Sequence, residues 1–344
     1  LEPVIKDRQT KSSQTDDEVI QPVEMSEILT VAHSNAWHGR CLEIKTKNII
    51  KDFKIEDREK DILEEWISDE YETLYEAFLQ YVLDYMGTGN TYLELNRLGR
   101  RINRLYRIEP ETVTILKDLT FLQRTDEDIE LPRYNPDDPL SNSVLHIRNA
   151  NSLSSFYGYP TWIFALESLR LDRNIKLFLS SFFANGAVPD VIVSLQGADF
   201  SEPVRNKIRQ ALAATKGVEN SHKTLLIGLP FENAKINIDT LNSPIKDMDF
   251  EKIGKPSREE IIASHGVPPR LLGIIPGGQL GGQGDGDSQL ETFFTTVIEP
   301  EQNFIAAKFN KLLRDQGYKG TLEFNHPYKK TKNDVNKSKN ISWR

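Results

Sequence analysis

A glycine-rich run in the C-terminal half has the residue types of a ligand-binding loop. It extends from Pro276 to Asp287 and contains six glycines, two glutamines and two aspartates. A phosphate-binding P-loop needs a lysine after its last glycine, and the chain has no Lys or Arg between Arg270 and Lys308, which excludes that motif. An EF-hand loop that began at Asp285 would need a glutamate where Thr296 stands. On composition alone, the run is typical of a polar surface loop.

Motifs for catalysis and metal binding are absent elsewhere in the sequence. It contains no G-x-S-x-G, H-E-x-x-H, C-x-x-C or Walker A pattern. His33, His38 and Cys41 could ligate a metal, but they lack a regular ligand spacing and a fourth partner, so core and surface roles are favoured. We therefore expect no enzyme activity, no metal site and no cofactor.

Two predicted helices flank the glycine-rich run. The first extends from Ile245 to Leu272 and should be kinked at Pro256, since Ser257 and Glu260 have the spacing of a capping box that restarts a helix. Gly266 is predicted to end it in a left-handed conformation, before two prolines that cannot continue a helix.

The second flanking helix extends from Leu290 to Leu313 and should bend at Pro300. Ordering six glycines between the two helices would cost backbone entropy with almost no apolar burial to offset it. We therefore expect a mobile polar loop held between two stiff helices.

The N-terminal half is predicted to combine helices with a small antiparallel sheet. After a polar arm, apolar spacing indicates helices from Ser26 onward, with an interruption near Gly39, and a further helix from Tyr71 to Met86. Alternating apolar residues predict strands at 91–95, 102–108, 112–116 and 144–147.

A long helix over 161–185 and a small α/β segment over 189–241 follow. Arg170, Arg173 and Lys176 form a stripe beside the apolar side of this helix. Taken alone, the stripe is either a solvated basic face or a contact with nucleic acid or an acidic neighbour.

The order of several short motifs resembles the portal proteins (head-to-tail connectors) of tailed bacteriophages. The resemblance covers about residues 30–327, and its most specific parts are the Asn-Gly turn and Gly-Val-Pro-Pro. In chain order, the motifs are Tyr157 to Pro160, Phe182 to Gly186, the strand Val188 to Val193, Glu259 to Gly273, and Val297 to Pro300.

The resemblance implies an α+β, portal-like fold in which two stem helices flank a small clip domain and a tunnel loop follows the second stem helix. By this likeness the segments are a flexible arm at 1–25, a wing at 26–156, a first stem helix at 157–186, a clip at 187–243, a second stem helix at 244–275, a tunnel loop at 276–289, a long helix with a wing strand at 290–327, and a basic tail at 328–344 as the remnant of a crown.

It also implies a function and partners. Portal proteins form a ring, usually of twelve copies, at one capsid vertex of the virion, after assembly in the host cytoplasm, and double-stranded DNA passes through the ring during packaging and ejection. The expected partners are the terminase large subunit, the major capsid protein and a head-tail adaptor, with no membrane. The alternatives are a nonconducting structural ring or scaffold protein of a virus-like particle and, third, an enzyme acting on nucleic acid.

The likeness assigns candidate residues to three sites. We expect Arg205 and Arg209 on the clip helix to dock partners, and Arg170, Arg173 and Lys176 on the first stem helix to face the channel. The tunnel-loop candidates are Gly277, Gly278, Gln279, Gly281, Gly282, Gln283, Asp285 and Asp287.

Charge favours a channel in which DNA slides. The chain has 43 basic and 51 acidic residues and a net charge of −8, whereas tight binders neutralise phosphates with Lys and Arg. The apolar faces of 161–185 and 245–272 exceed what one subunit can bury, so we expect neighbours in the ring to cover part of them, with Leu169 in that contact.

Overall fold

The computed structural model describes residues 17–51, 53–67, 72–138, 140–184, 191–196, 201–213, 235–240, 250–274 and 283–324. The chain divides into two compact units: Leu1–Leu169 together with Glu259–Arg344, and Arg170–Arg258. The predicted basic tail, 328–344, lies outside the described residues. Within the described ranges, no helix is long and apolar enough to span a bilayer.

The helices of the first unit begin and end at recognisable caps. They are α1 (Met25–His33), α2 (Ala36–Ile49), α3 (Asp57–Ile67) and α4 (Leu74–Thr88). The Asn35 side chain accepts a hydrogen bond from the His38 amide and starts α2, so the interruption predicted near Gly39 is wrong and falls before Ala36. Thr73 and Glu76 form a capping box at the start of α4, because each side chain satisfies an amide of the first turn.

Three small antiparallel sheets complete the first unit. The strands are β1 (Phe53–Ile55), β2 (Asn90–Leu98), β3 (Arg101–Ile108), β4 (Val113–Ile115), β5 (Phe121–Gln123), β6 (Ile129–Leu131), β7 (Ser143–Arg148) and β10 (Leu322–Phe324). The sheet orders are β3-β2-β7, β4-β5-β6 and β1-β10. The predicted α+β class is confirmed, although the one sheet expected over 91–147 is two.

The predicted flexible arm is partly wrong. Residues 1–16 lie outside the described part of the chain, but Glu18 pairs with Leu116 in a β-bridge and Val19 is buried. Arg124 adds an ion pair to Glu18 at 2.6 Å. The last residues of the expected arm therefore belong to the sheet region, because they bury an apolar side chain and satisfy backbone groups there.

A buried junction explains the Tyr157–Pro160 motif. The Gly158 amide donates to Asn90 Oδ1 at 2.7 Å, and Asn90 Nδ2 donates to the Gly158 carbonyl at 2.8 Å. A Cβ on Gly158 would lie 1.9 Å from the Gly89 carbonyl oxygen. Only glycine allows this backbone approach.

The second unit contains most of α5 (Leu166–Ala184), which follows a 3₁₀ turn at Thr161–Ala165, and the first part of α7 (Phe250–His265). Between them lie β8 (Val191–Gln196), α6 (Glu202–Ala213) and β9 (Lys235–Thr240), and the two strands pair antiparallel. The further strand expected in this α/β segment falls outside the described residues.

Candidate functional site: the root of the glycine-rich segment

The helix before the glycine-rich run is continuous from Phe250 to His265 although it contains Pro256. The predicted capping box is wrong, because the Glu260 carboxylate accepts a hydrogen bond from the Ser168 hydroxyl instead of bonding to Ser257. Glu260 thereby joins α7 to the start of α5 within the first unit.

Gly266 ends α7 with a φ of 66°, which confirms the predicted left-handed position. A Cβ at Gly266 would meet Val297 Cγ2 at 3.0 Å, so a larger residue there would also have to displace the Val297 side chain. Pro269–Leu272 form a 3₁₀ turn that Gly273 closes at a φ of 76°. The chain therefore leaves α7 through two left-handed glycines.

The helix after the run begins earlier than the sequence predicts. α8 spans Gln283–Phe293, so Gln283, Asp285 and Asp287 belong to a helix and the predicted loop boundary at 289 is wrong. Asp287 is exposed and is the fifth residue of α8. The other tunnel-loop candidates, Gly277, Gly278, Gln279, Gly281 and Gly282, lie outside the described residues.

A π-helical turn at Phe294–Ile298 joins α8 to α9 (Glu299–Asp315). Pro300 lies at the start of α9, where in a regular helix its ring would clash with the carbonyl of Thr296. The wider π turn avoids that clash, and the Glu299 amide donates to the Phe294 carbonyl. The predicted bend at Pro300 stays a prediction, while the structure shows a change of helix type just before it, at Phe294–Ile298.

The two helix ends enclose an open cleft of about 360 Å³. One side consists of Gly266–Pro269 and the other of Ser288, Gln289, Thr292, Phe293 and Thr296. The hydroxyl of Thr292 donates to the Ser288 carbonyl at 2.8 Å and that of Thr296 donates to the Thr292 carbonyl at 2.6 Å. Both threonine hydroxyls therefore bond to backbone carbonyls of their own helical segment, which leaves Ser288 and Gln289 as the other polar side chains that line the cleft.

Beneath the Gly266 turn lies a buried pair of histidines. Nε2 of His265 lies 2.9 Å from Nδ1 of His38 on α2, and the Trp162 ring packs edge-on against His38 at 4.3 Å between centroids. Burial lowers the pKa of His38 to about 4, and it lowers the pKa of His265 as well. At neutral pH both rings are therefore uncharged.

Lys45 lies on the same face of α2 and is 2% exposed. Its Nζ donates to Thr161 Oγ1 at 3.2 Å. Burial lowers the pKa of Lys45 to about 8, while the nearby Glu301 on α9 favours its charged form. The sequence did mark His38 and Cys41 as notable, but nothing in their spacing indicated His265, which is 227 residues away.

The stem and clip candidates lie on helices of the second unit. Arg170, Arg173 and Lys176 occupy α5, where Lys176 forms an ion pair with Asp172 at 2.5 Å. Arg205 and Arg209 are exposed on α6, and Arg209 donates to Asn206 Oδ1 at 3.3 Å. Among the residues that the structure describes, no group of His, Cys, Asp and Glu could hold a metal ion.

Together, these features define an α+β chain with small antiparallel sheets, in which a glycine-rich segment follows α7 and precedes α8. A family model described as "Phage portal protein" matches residues 50–332. The chain belongs to the phage portal protein family.

The relatives are distant and longer than this chain. A probable portal protein of Escherichia phage P2 is 26% identical over 232 residues, which cover 66% of this chain and 65% of that protein. A probable portal protein of Streptomyces phage phiC31 is 26% identical over 247 residues, covering 68% and 51%. The chain thus spans about half to two thirds of the length of these relatives.

Solved structures share the fold. A chain from the virion of a native gene transfer agent particle aligns with a TM-score of 0.62 at 15% identity, covering 95% of this chain and 89% of that chain. An HK97 family phage portal protein from Corynebacterium diphtheriae aligns with a TM-score of 0.54 at 13% identity, covering 87% and 95%.

Proposed function

We propose that this chain forms a ring at the portal vertex of a capsid and that double-stranded DNA passes through the ring during packaging and ejection. The family match over residues 50–332 carries the proposal. The structure of one similar chain comes from the neck of a gene transfer agent particle computed with C12 symmetry, which supports a ring of twelve.

Closed rings need two different complementary surfaces on each subunit. The first unit has an open groove of about 840 Å³ between α1, α2, α4 and the Glu109–Glu111 segment, with apolar side chains that include Leu42, Leu79 and Leu83. It also has a protruding aromatic residue, Phe164, which is 85% exposed. Burying this side chain would contribute about 1.5–3 kcal/mol per contact.

The groove and the 3₁₀ turn that carries Phe164 (Thr161–Ala165) contact different faces of α2. His38 and Lys45 contact the residues around Thr161 and Trp162, whereas Gly39, Leu42 and Thr46 line the groove. At 3.6 residues per turn the centres of these two sets lie about 80° apart on the helix. Such a pair suits head-to-tail contacts between neighbouring copies.

A substitution at Leu169 cannot test this contact between subunits. This residue is 0% exposed within its own subunit, so the expectation that a neighbour covers it is wrong, and a charge there would disrupt the core. Leu171 and Phe178 on α5 remain exposed at 43% and 45% and are the better candidates for contact with a neighbour.

The assembly proposal is tested with Phe164→Ser and, as a control, Leu98→Ser, since Leu98 is 76% exposed on the β2–β3 hairpin and does not line the groove. We expect the first variant to fold but lose most of the ring mass in light scattering and the second to assemble normally. Rings of normal mass from Phe164→Ser would reject this contact, and an absence of rings from the unaltered chain would reject the proposed function.

The same proposal assigns the segment that includes 275–282 to the channel and the exposed Arg205 and Arg209 of α6 to docking of terminase and then of an adaptor. The sequence has no basic residue from 271 to 307, which supports sliding contact with phosphates. A nonconducting ring would assemble equally well but contribute nothing to the amount of nuclease-protected DNA per particle.

A further inference from the structure

The His38–His265 pair joins two parts of the first unit that are distant in sequence. His265 is the last residue of α7, directly before the left-handed Gly266, and His38 lies in the first turns of α2. Both rings are buried and their nitrogens are 2.9 Å apart. The bond therefore holds the point at which the chain leaves α7.

The pair is sensitive to protonation because of how its nitrogens are partnered. In the one short contact, one ring must donate and the other must accept. His38 Nε2 and His265 Nδ1, the two remaining nitrogens, are buried without a hydrogen-bond partner. Adding a proton to the accepting nitrogen would remove the bond and place two donors against each other.

The surroundings do not compensate a positive charge on either ring. The charge of Lys45 lowers the pKa of both histidines, and that of His33 on α1 adds to this effect at His38. Cys41 is buried beside Lys45 with a pKa raised to about 11, so it is neutral. Glu301 acts on Lys45, and burial raises its own pKa.

We infer that the His38–His265 hydrogen bond is an acid-sensitive latch that fixes the end of α7, and with it the start of the glycine-rich segment, to α2. The latch is closed when both rings are neutral and opens when the accepting nitrogen takes a proton. Its consequence for a channel loop rests on the proposed function, whereas the latch itself is a property of the single subunit.

The sign of the pH effect follows from the lowered pKa values. When the latch opens, a ring regains its ordinary pKa of 6.5, above the value of about 4 that burial gives His38. The open state thus binds more protons below pH 6.5, and the latch weakens as pH falls from there toward 4. From the titration of His38 alone, the ratio of open to closed latch is expected to be at least about tenfold larger at pH 5 than at pH 7.5.

Hydrogen exchange of backbone amides in the purified chain tests the inference. After correction for intrinsic exchange rates, we expect the amides of 262–266 to lose protection by at least about tenfold between pH 7.5 and pH 5, while those of α4 change little. In the double variant His38→Asn, His265→Asn, protection at pH 7.5 should be lower and this pH response should disappear.

Two further variants keep the test decisive. In His265→Gln the amide can donate to neutral His38 or, through its oxygen, accept from protonated His38. This variant should show protection near normal at pH 7.5 with a reduced acid response, and it covers failure of the double variant to fold. His33→Asn removes an exposed histidine from the same region and should keep the acid response, shifted only by the loss of its charge from the field at His38. An unchanged acid response in both His265 variants, or none in the unaltered chain, would overturn the latch, whether or not rings form.

Discussion

The Gly158 junction and the Gly266 turn both depend on glycine, but they surround it with different partners. At Gly158 an added Cβ would strike the backbone of Gly89 at 1.9 Å, and Asn90 binds both polar groups of the glycine. At Gly266 the obstacle is a side-chain methyl at 3.0 Å, next to a histidine pair with two unpartnered nitrogens. The Gly158 junction is therefore fixed by backbone, whereas the root of the glycine-rich segment can adjust.

The largest effect is expected from Gly158→Ala. Because the Gly89 carbonyl cannot move without breaking the Asn90 network, the variant should lose about 3 kcal/mol or more of stability and give little folded protein. The measurement is the denaturant midpoint of the soluble fraction. Gly39→Ala is the matched control, since nothing lies within 4 Å of the added Cβ and a helical alanine should stabilise α2 by about 0.5–1 kcal/mol. Equal stability of the two variants would contradict the comparison.

A smaller effect is expected at Gly266. Gly266→Ala should cost about 1–2 kcal/mol from its positive φ, plus the displacement of Val297. Adding Val297→Ala should remove the steric part but leave the strain of the left-handed backbone. A double-mutant cycle on the free energy of unfolding separates the two, with a coupling energy of about 0.5 kcal/mol or more expected. Strict additivity would mean that the Val297 contact does not limit this turn.

The smallest effect is expected within α8. Gly284→Ala and Gly286→Ala replace glycines that the sequence places in a loop and the structure places in a helix, so each should stabilise that helix by up to about 1 kcal/mol. The control is Gly99→Ala in the β2–β3 turn, where the added methyl gains no helix propensity. Slower amide exchange at 287–292 in the first two variants only is the expected result. If all three behaved alike, the start of α8 at Gln283 would be wrong.

The sequence by itself determined the helix and strand periods, the left-handed Gly266 and the order of motifs that identified the family. These features depend on local rules, such as the apolar spacing of α4 and the inability of Pro268 and Pro269 to extend α7. It also located the glycine-rich segment, but it placed the start of α8 too late, because glycine and aspartate have low intrinsic helix propensity.

Only the tertiary structure decided which side chains meet across the chain. Asn90 binds Gly158 from 68 residues away and His38 meets His265 from 227 away, and no periodicity encodes either contact. The structure also decided that Leu169 is covered within its own subunit while Phe164 is exposed. Apolar spacing shows that a helix has a buried face, but which neighbour covers each residue depends on packing that forms only when distant elements come together.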